Sequence, residues 1–117
     1  MYIIDMHCDT ISRLNQEDSL LNNPYHWDIK RALDAGVIMQ FFALFTYPND
    51  PDTALRIVLR QMDRYYQEME AHSEYIYHLN SVSKGWRPEA NRIAAVLHLE
   101  GGECLGADTA ILRLLYK

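Results

Sequence analysis

Histidine and acidic residues stand two positions apart at the ends of two short apolar segments, a spacing that suits metal binding. The first segment ends in His7 and Asp9, and the second ends in His98 and Glu100. Side chains two residues apart in a β-strand point to the same face, so each segment presents an imidazole and a carboxylate together. Both groups are ligands of divalent ions such as zinc. If the strands are parallel neighbours in one sheet, their carboxyl ends form one metal site.

Successive side chains of the first segment point to opposite faces of the predicted strand. We expect one face to carry ligands and the other to pack in the core. Asp5 shares the ligand face but lies deeper, so it either supports a ligand or is satisfied by backbone groups. Cys8 and Cys104 are interpreted as packing residues, because no base is placed beside either thiol by the sequence. The ligand face comprises Ile3, Asp5, His7 and Asp9, and the packing face comprises Tyr2, Ile4, Met6 and Cys8.

Each candidate ligand also has a simpler interpretation. His7 and Asp9 could form a hydrogen-bonded pair at a strand end, without a metal. Glu100 could cap a helix or form an ion pair. His98 could line a substrate pocket, serve as a further ligand, or be an ordinary core histidine. Spacing alone leaves these alternatives open.

Length and composition narrow the class of protein. The chain has 117 residues, 49% of them hydrophobic, and a formal net charge of −5. This composition fits a single globular domain, 1–117. Because no basic stripe is present, nucleic acid is not an expected partner. No apolar run is long enough to span a bilayer, and no signal peptide follows Met1. We therefore expect a cytoplasmic protein, in keeping with its two cysteines.

Strand and helix patterns alternate along the chain, which predicts an α/β fold with a parallel sheet. A Rossmann or flavodoxin-like sheet fits this alternation equally well. A glycine-rich dinucleotide fingerprint after the first strand is absent. The predicted strands are 2–9, 37–46, 75–79 and 93–99. The predicted helices are 27–35, 52–71 after a cap at Asp50, a short or irregular one in 81–91, and 109–116 after a cap at Asp108.

Three motifs, in this order, resemble the membrane (renal) dipeptidase family. They are Ile-Asp-Met-His-Cys-Asp-Thr at 4–10, Ala-Gly-Val at 35–37 leading into Gln-Phe-Phe at 40–42, and Leu-Glu-Gly-Gly at 99–102. That family consists of zinc-dependent dipeptidases on a (β/α)8 TIM barrel, with bacterial cytoplasmic members. A closed barrel of this type needs roughly 200 residues or more. The resemblance therefore implies the N-terminal half of a TIM barrel, with about four βα units.

The resemblance also implies roles for individual residues. His7 and Asp9 would bind one zinc ion, and Glu100 would bridge two, so that the complete site holds two zinc ions and hydrolyses dipeptides. Two further histidine ligands and an aspartate would come from later strands that this chain does not contain. His98 departs from the family pattern.

We therefore expect the isolated chain to bind metal weakly and to be inactive. Because a half-barrel leaves strand edges unpaired, we also expect self-association or a homo-oligomer. The alternatives are a non-catalytic half-barrel, or another metal hydrolase of the amidohydrolase type.

Overall fold

Four parallel strands form one sheet in the order β1-β2-β4-β3. The computed structural model describes residues 1–47 and 50–117. Its architecture confirms the α/β fold class predicted for a half-barrel. The strands are β1 Ile3–Cys8, β2 Val37–Phe45, β3 Ile76–His78 and β4 Ile93–Glu100; the α-helices are α1 Thr10–Arg13, α2 Ile29–Ala35, α3 Pro51–Ala71 and α4 Thr109–Leu115, with a 3-10 turn at Glu103–Leu105.

The strand order differs from the expectation that the two ligand-bearing strands are neighbours. β2 lies between β1 and β4 and pairs with both. β3 occupies an edge, where its three residues pair with the start of β4 alone. Side chains from β1 and β4 can therefore meet only by reaching across the face of β2.

The predicted caps at Asp50 and Asp108 are confirmed, whereas α1 was not predicted and α2 begins at Ile29 rather than at 27. Asp28, Asp50 and Asp108 are the N-caps of α2, α3 and α4, and each carboxylate accepts a backbone N–H two or three residues later. Pro51 is the first residue of α3, where its missing N–H costs nothing. Gly36 ends α2 with a φ of +85°, a left-handed conformation that favours glycine.

Most of the core lies between the sheet and the helices that cover it. Phe42 of β2 and Tyr65 of α3 are completely buried there, and the Tyr65 hydroxyl donates to the carbonyl of Ala95 at 3.1 Å. A second, smaller cluster joins the end of the sheet to α3 around Val58 and Cys104. Within residues 1–47 and 50–117, no helix is both long and apolar enough to cross a bilayer.

Two predictions about the C-terminal half are wrong. Residues 81–91 form turns and irregular backbone rather than a short helix, in keeping with Gly85 and Pro88 in that segment. The apolar spacing in 109–116 also predicts that Leu112 and Leu115 point inward; in α4, Leu112 is half exposed instead, although Leu115 does pack on the second cluster. Of the loop predicted at 47–52, residues 48 and 49 lie outside the described residues.

The predicted packing face of the first strand is only partly buried. Cys8 packs against the core, whereas Tyr2, Ile4 and Met6 are more than half exposed. β1 is an edge strand, and its pairing with β2 shifts register twice, which interrupts simple alternation. The expected packing role is therefore wrong for these three residues.

Buried charges on α3 hold the long loop that follows α1. Glu68 is 7% exposed, although the sequence places it on the polar side of the helix. Its carboxylate accepts the Leu20 backbone N–H and the Arg64 guanidinium, both at 2.8 Å. Arg64 also donates to the carbonyls of Asn15 and Asp18. Since a buried carboxylate is tolerated only when paired, this network fixes the loop against α3.

Asp28 is expected to make folding sensitive to acid. Burial alone would raise its pKa, but hydrogen bonds from the Arg31 backbone and guanidinium and from the Asn23 backbone outweigh it and lower the pKa. A lowered folded-state pKa adds stability above the unfolded pKa, and that stability is lost as pH falls through the folded value. Asp28→Asn retains an N-cap but cannot titrate.

Urea unfolding between pH 7 and pH 3 measures this effect. The free energy of unfolding should fall less steeply with acid in Asp28→Asn than in the wild type. Asp34→Asn, at an exposed position of the same helix, is the control and should follow the wild type. If the free energy of unfolding depends on pH identically in the wild type and in Asp28→Asn, Asp28 is not a source of the acid sensitivity.

Candidate metal centre

One imidazole and two carboxylates meet at the carboxyl ends of β1 and β4. His7 Nε2 lies 3.4 Å from Asp9 Oδ2 and 3.5 Å from Glu100 Oε2. One potential ligand atom from each of the three residues lies within 4.8 Å of the other two. Each side chain is about half exposed, at 45–48%, so the cluster is open to ions and small molecules. The structure thus brings together all three residues that the sequence singles out as ligands.

The side chains of β1 and β4 approach one another across β2, where Ala43 lies level with His98 and has only a methyl side chain. Cys8 lies level with Phe42 in the sheet, and His98 pairs with Ala43. Ala43 is completely buried and shares the face of His98. With only a methyl group on the middle strand, the rings of His7 and His98 approach edge to face, with centroids 5.3 Å apart.

The donor set fits a zinc ion. Four ligands at about 2.1 Å in a tetrahedron are separated from one another by about 3.4 Å. The two distances from His7 Nε2, 3.4 and 3.5 Å, agree with that spacing. Imidazole nitrogen and carboxylate oxygen are both ordinary zinc ligands, and three protein ligands leave room for water or substrate. His7, Asp9 and Glu100 are therefore the residues that would hold a metal.

Asp5 and the two cysteines lie outside the group of three ligands. Asp5 Oδ1 accepts the His7 backbone N–H at 3.2 Å, which is the backbone-satisfied alternative considered for this residue. Cys8 and Cys104 are free thiols. Burial raises the pKa of Cys8 to about 12 and also raises the pKa of Cys104. Neither is therefore an ionised nucleophile near neutral pH.

His98 lies beside the cluster but outside the group of three. Its ring packs edge to face on His7 and on Phe41, and its Nε2 is buried without a hydrogen-bond partner among the described residues. Burial lowers its pKa, and the neighbouring His7 acts in the same direction, while Glu100 and Asp9 oppose the shift. A neutral ring beside His7 fits a packing or substrate-lining role, which stays a prediction.

Two clefts flank the cluster, each with a volume of about 510 Å³. One opens between Asp9 and Glu100 toward the end of β2, and the other opens toward the loop residues Tyr25 and His26. Arg13 lines both clefts. The sequence places the loop after the first strand over the site but singles out none of its residues. The one available signal is that α1 follows directly on the ligand Asp9.

Comparisons with known proteins identify the family of the chain and a solved structure with a similar fold. The family model "Membrane dipeptidase (Peptidase family M19)" matches residues 1–117. The chain belongs to the membrane dipeptidase family. A search of curated proteins finds no significant match. Among solved structures, the chain is similar to a crystal structure titled dipeptidase AC, a metallopeptidase of family M19, with a TM-score of 0.80 and 20% identity.

The matched structure is much longer than this chain. The alignment covers 99% of the chain but 40% of that dipeptidase. At this level of identity the likeness establishes the fold, and it agrees with a half-barrel. Family membership places the cluster of His7, Asp9 and Glu100 in a chain that is related to metallopeptidases of dipeptidase type.

Gly101 is expected to control the position of Glu100. Its φ is +84°, whereas the adjacent Gly102 has a φ of −120°. An L-residue in the left-handed region costs about 1–2 kcal/mol. A Cβ on Gly102 would meet nothing closer than Leu105 Cδ1 at 3.9 Å. Gly101→Ala should lower the free energy of unfolding by about 1–2 kcal/mol, and Gly102→Ala should change it little.

Urea denaturation of the two alanine variants makes the comparison directly. Equal losses in both variants, or a loss confined to Gly102→Ala, would show that the turn after Glu100 does not depend on a left-handed residue at 101.

Proposed function

We propose that this chain forms the first part of a two-zinc site in an enzyme that hydrolyses dipeptides. The observation that carries the proposal is the approach of Asp9 and Glu100 to the same nitrogen of His7, across an intervening strand. Family membership supports peptide hydrolysis as the reaction. The spacing of the three ligand atoms supports zinc as the metal.

The residues of this chain would hold and orient the metal rather than act on the peptide themselves. When bound, zinc supplies Lewis acidity toward the peptide carbonyl and lowers the pKa of water. His7 and Asp9 provide one nitrogen and one oxygen donor from a single strand end. Glu100 comes from a different strand and has two carboxylate oxygens, so it is suited to bridge two ions.

The proposal requires ligands beyond this chain. Three protein ligands serve one zinc ion, but two ions need more donors than the described residues supply in this cluster. The chain spans 40% of the similar dipeptidase. We propose that additional histidines and an aspartate on further strands complete the site, and that the 117-residue chain alone does not hydrolyse dipeptides.

Metal binding by the chain provides the first test. Equilibrium dialysis with zinc at pH 7.5 should show that the wild type binds metal and that His7→Ala and Glu100→Gln each bind at least about tenfold more weakly. Glu70→Gln removes the same charge from an exposed position on α3 and should bind as the wild type does. If all four proteins bind zinc equally, the ion is not held by this cluster.

Hydrolysis provides the second test. A polypeptide that joins this chain to the rest of the barrel, loaded with zinc, should cleave simple dipeptides. The Glu100→Gln form of the same polypeptide should lose at least about a hundredfold in kcat/KM, because it loses a bridging oxygen. A complete, zinc-loaded polypeptide that cleaves no dipeptide would rule out the assigned reaction.

A non-catalytic half-barrel is the main alternative. In that case His7 would be held between Asp9 and Glu100 as a hydrogen-bonding ring, and the cluster would need no ion. The zinc dialysis separates the two interpretations, because a purely structural cluster would bind no metal. Another metal hydrolase of the amidohydrolase type would bind zinc but would leave dipeptides uncleaved.

Self-association is a further expectation for the isolated chain. β1 is paired on one edge only, and Tyr2, Ile4 and Met6 present exposed apolar side chains along it. Such an edge promotes pairing with another chain. Sedimentation velocity should show dimers or larger species at micromolar concentration, and Ile4→Lys should reduce them. A wild-type chain that sediments only as a monomer would contradict this expectation.

A further inference from the structure

Arg13 is the cationic side chain closest in sequence to the candidate metal ligands. Its backbone is positioned by a helical turn that begins at the candidate ligand Asp9. α1 begins directly after Asp9. The Asp9 carbonyl accepts both the Ser12 backbone N–H at 3.0 Å and the Ser12 hydroxyl at 2.8 Å. This turn holds Arg13 at the last position of α1, where it lines both clefts beside the cluster.

The side chain of Arg13 has no charged partner among residues 1–47 and 50–117. Three other arginines are engaged: Arg31 with Asp28, Arg64 with Glu68, and Arg92 with Glu89. Within the described ranges, Arg13 forms no ion pair and no side-chain hydrogen bond.

The clefts are lined by ionisable groups besides Arg13: carboxylates, imidazoles, one thiol and two phenols. They are Asp5, His7, Cys8, Asp9, Tyr25, His26, Tyr47 and Glu100. With metal ions held by Asp9 and Glu100, those two carboxylates would be neutralised, and the exposed guanidinium of Arg13 would remain available to an anion.

An unpaired guanidinium at this position can bind the carboxylate of a ligand. Guanidinium and carboxylate form paired, charge-assisted hydrogen bonds. Each cleft, at about 510 Å³, has a size that accommodates a small-molecule ligand. We infer that Arg13 binds a carboxylate of the peptide substrate beside the metal cluster. The inference rests on the proposed function, because it takes the substrate to be a dipeptide.

The carboxylate has two sources, the peptide's C-terminus or an acidic side chain, and two peptide pairs separate them. Ala-Asp and Ala-Asn differ in side-chain charge, whereas Ala-Ala and its C-terminal amide differ in terminal charge. Dissociation constants for the zinc-loaded chain come from calorimetry. The wild type should prefer the charged member of at least one pair by about tenfold, and low ionic strength should increase that preference.

Variants at Arg13 test whether this side chain causes the preference for the charged peptide. Arg13→Met should abolish the preference, and Arg13→Lys should retain part of it because it keeps the charge without the fork geometry. Lys30→Met, at an exposed position on α2, should leave the preference unchanged. Urea unfolding of each variant checks that the fold is retained.

The outcomes separate this inference from the proposed function. If the wild type binds these peptides but shows no charge preference, or if Arg13→Met keeps the preference, Arg13 is not the carboxylate site and the proposed function stands. If the zinc-loaded wild type binds none of the four peptides, the inference fails, and the hydrolysis test on the completed barrel decides the proposed function separately.

Discussion

The arrangement of this site depends on two carboxylates facing one imidazole nitrogen from strands that are not neighbours. Asp9 Oδ2 and Glu100 Oε2 both lie close to His7 Nε2, at 3.4 and 3.5 Å. Two carboxylates this close repel one another unless a positive charge stands between them. A divalent ion supplies that charge and satisfies all three groups at once. The geometry of the cluster and the family membership of the chain are the grounds on which we propose a metal centre here.

The parallel sheet is what makes this approach possible. Parallel strands bring their carboxyl ends to one edge, where ligands collect. β2 separates the two ligand strands, but Ala43 gives it almost no bulk at the level of the rings. The rings of His7 and His98 meet on this side of the sheet with their centroids 5.3 Å apart.

Local features were predictable from sequence, and longer-range ones were not. The caps at Asp50 and Asp108 follow from side-chain chemistry a few residues away, so the sequence suffices to find them, whereas the cap at Asp28 was placed inside the predicted helix and missed. The alternation in β4 likewise predicts that His98 and Glu100 share a face. The order of the strands depends on which strand pairings bury the most surface. A local sequence pattern contains no information about those pairings. The burial of Glu68 depends on a partner about fifty residues earlier in the chain, and it was missed for that reason.

X-ray absorption spectroscopy and anomalous diffraction at the zinc edge, on crystals of the zinc-loaded chain, test the central claim most directly. We predict a zinc ion bound by His7 Nε2 and by carboxylate oxygens of Asp9 and Glu100, with bonds of about 2.0–2.2 Å. A zinc ion held elsewhere, or one bound by His7 and Asp9 with Glu100 turned away, would contradict the account.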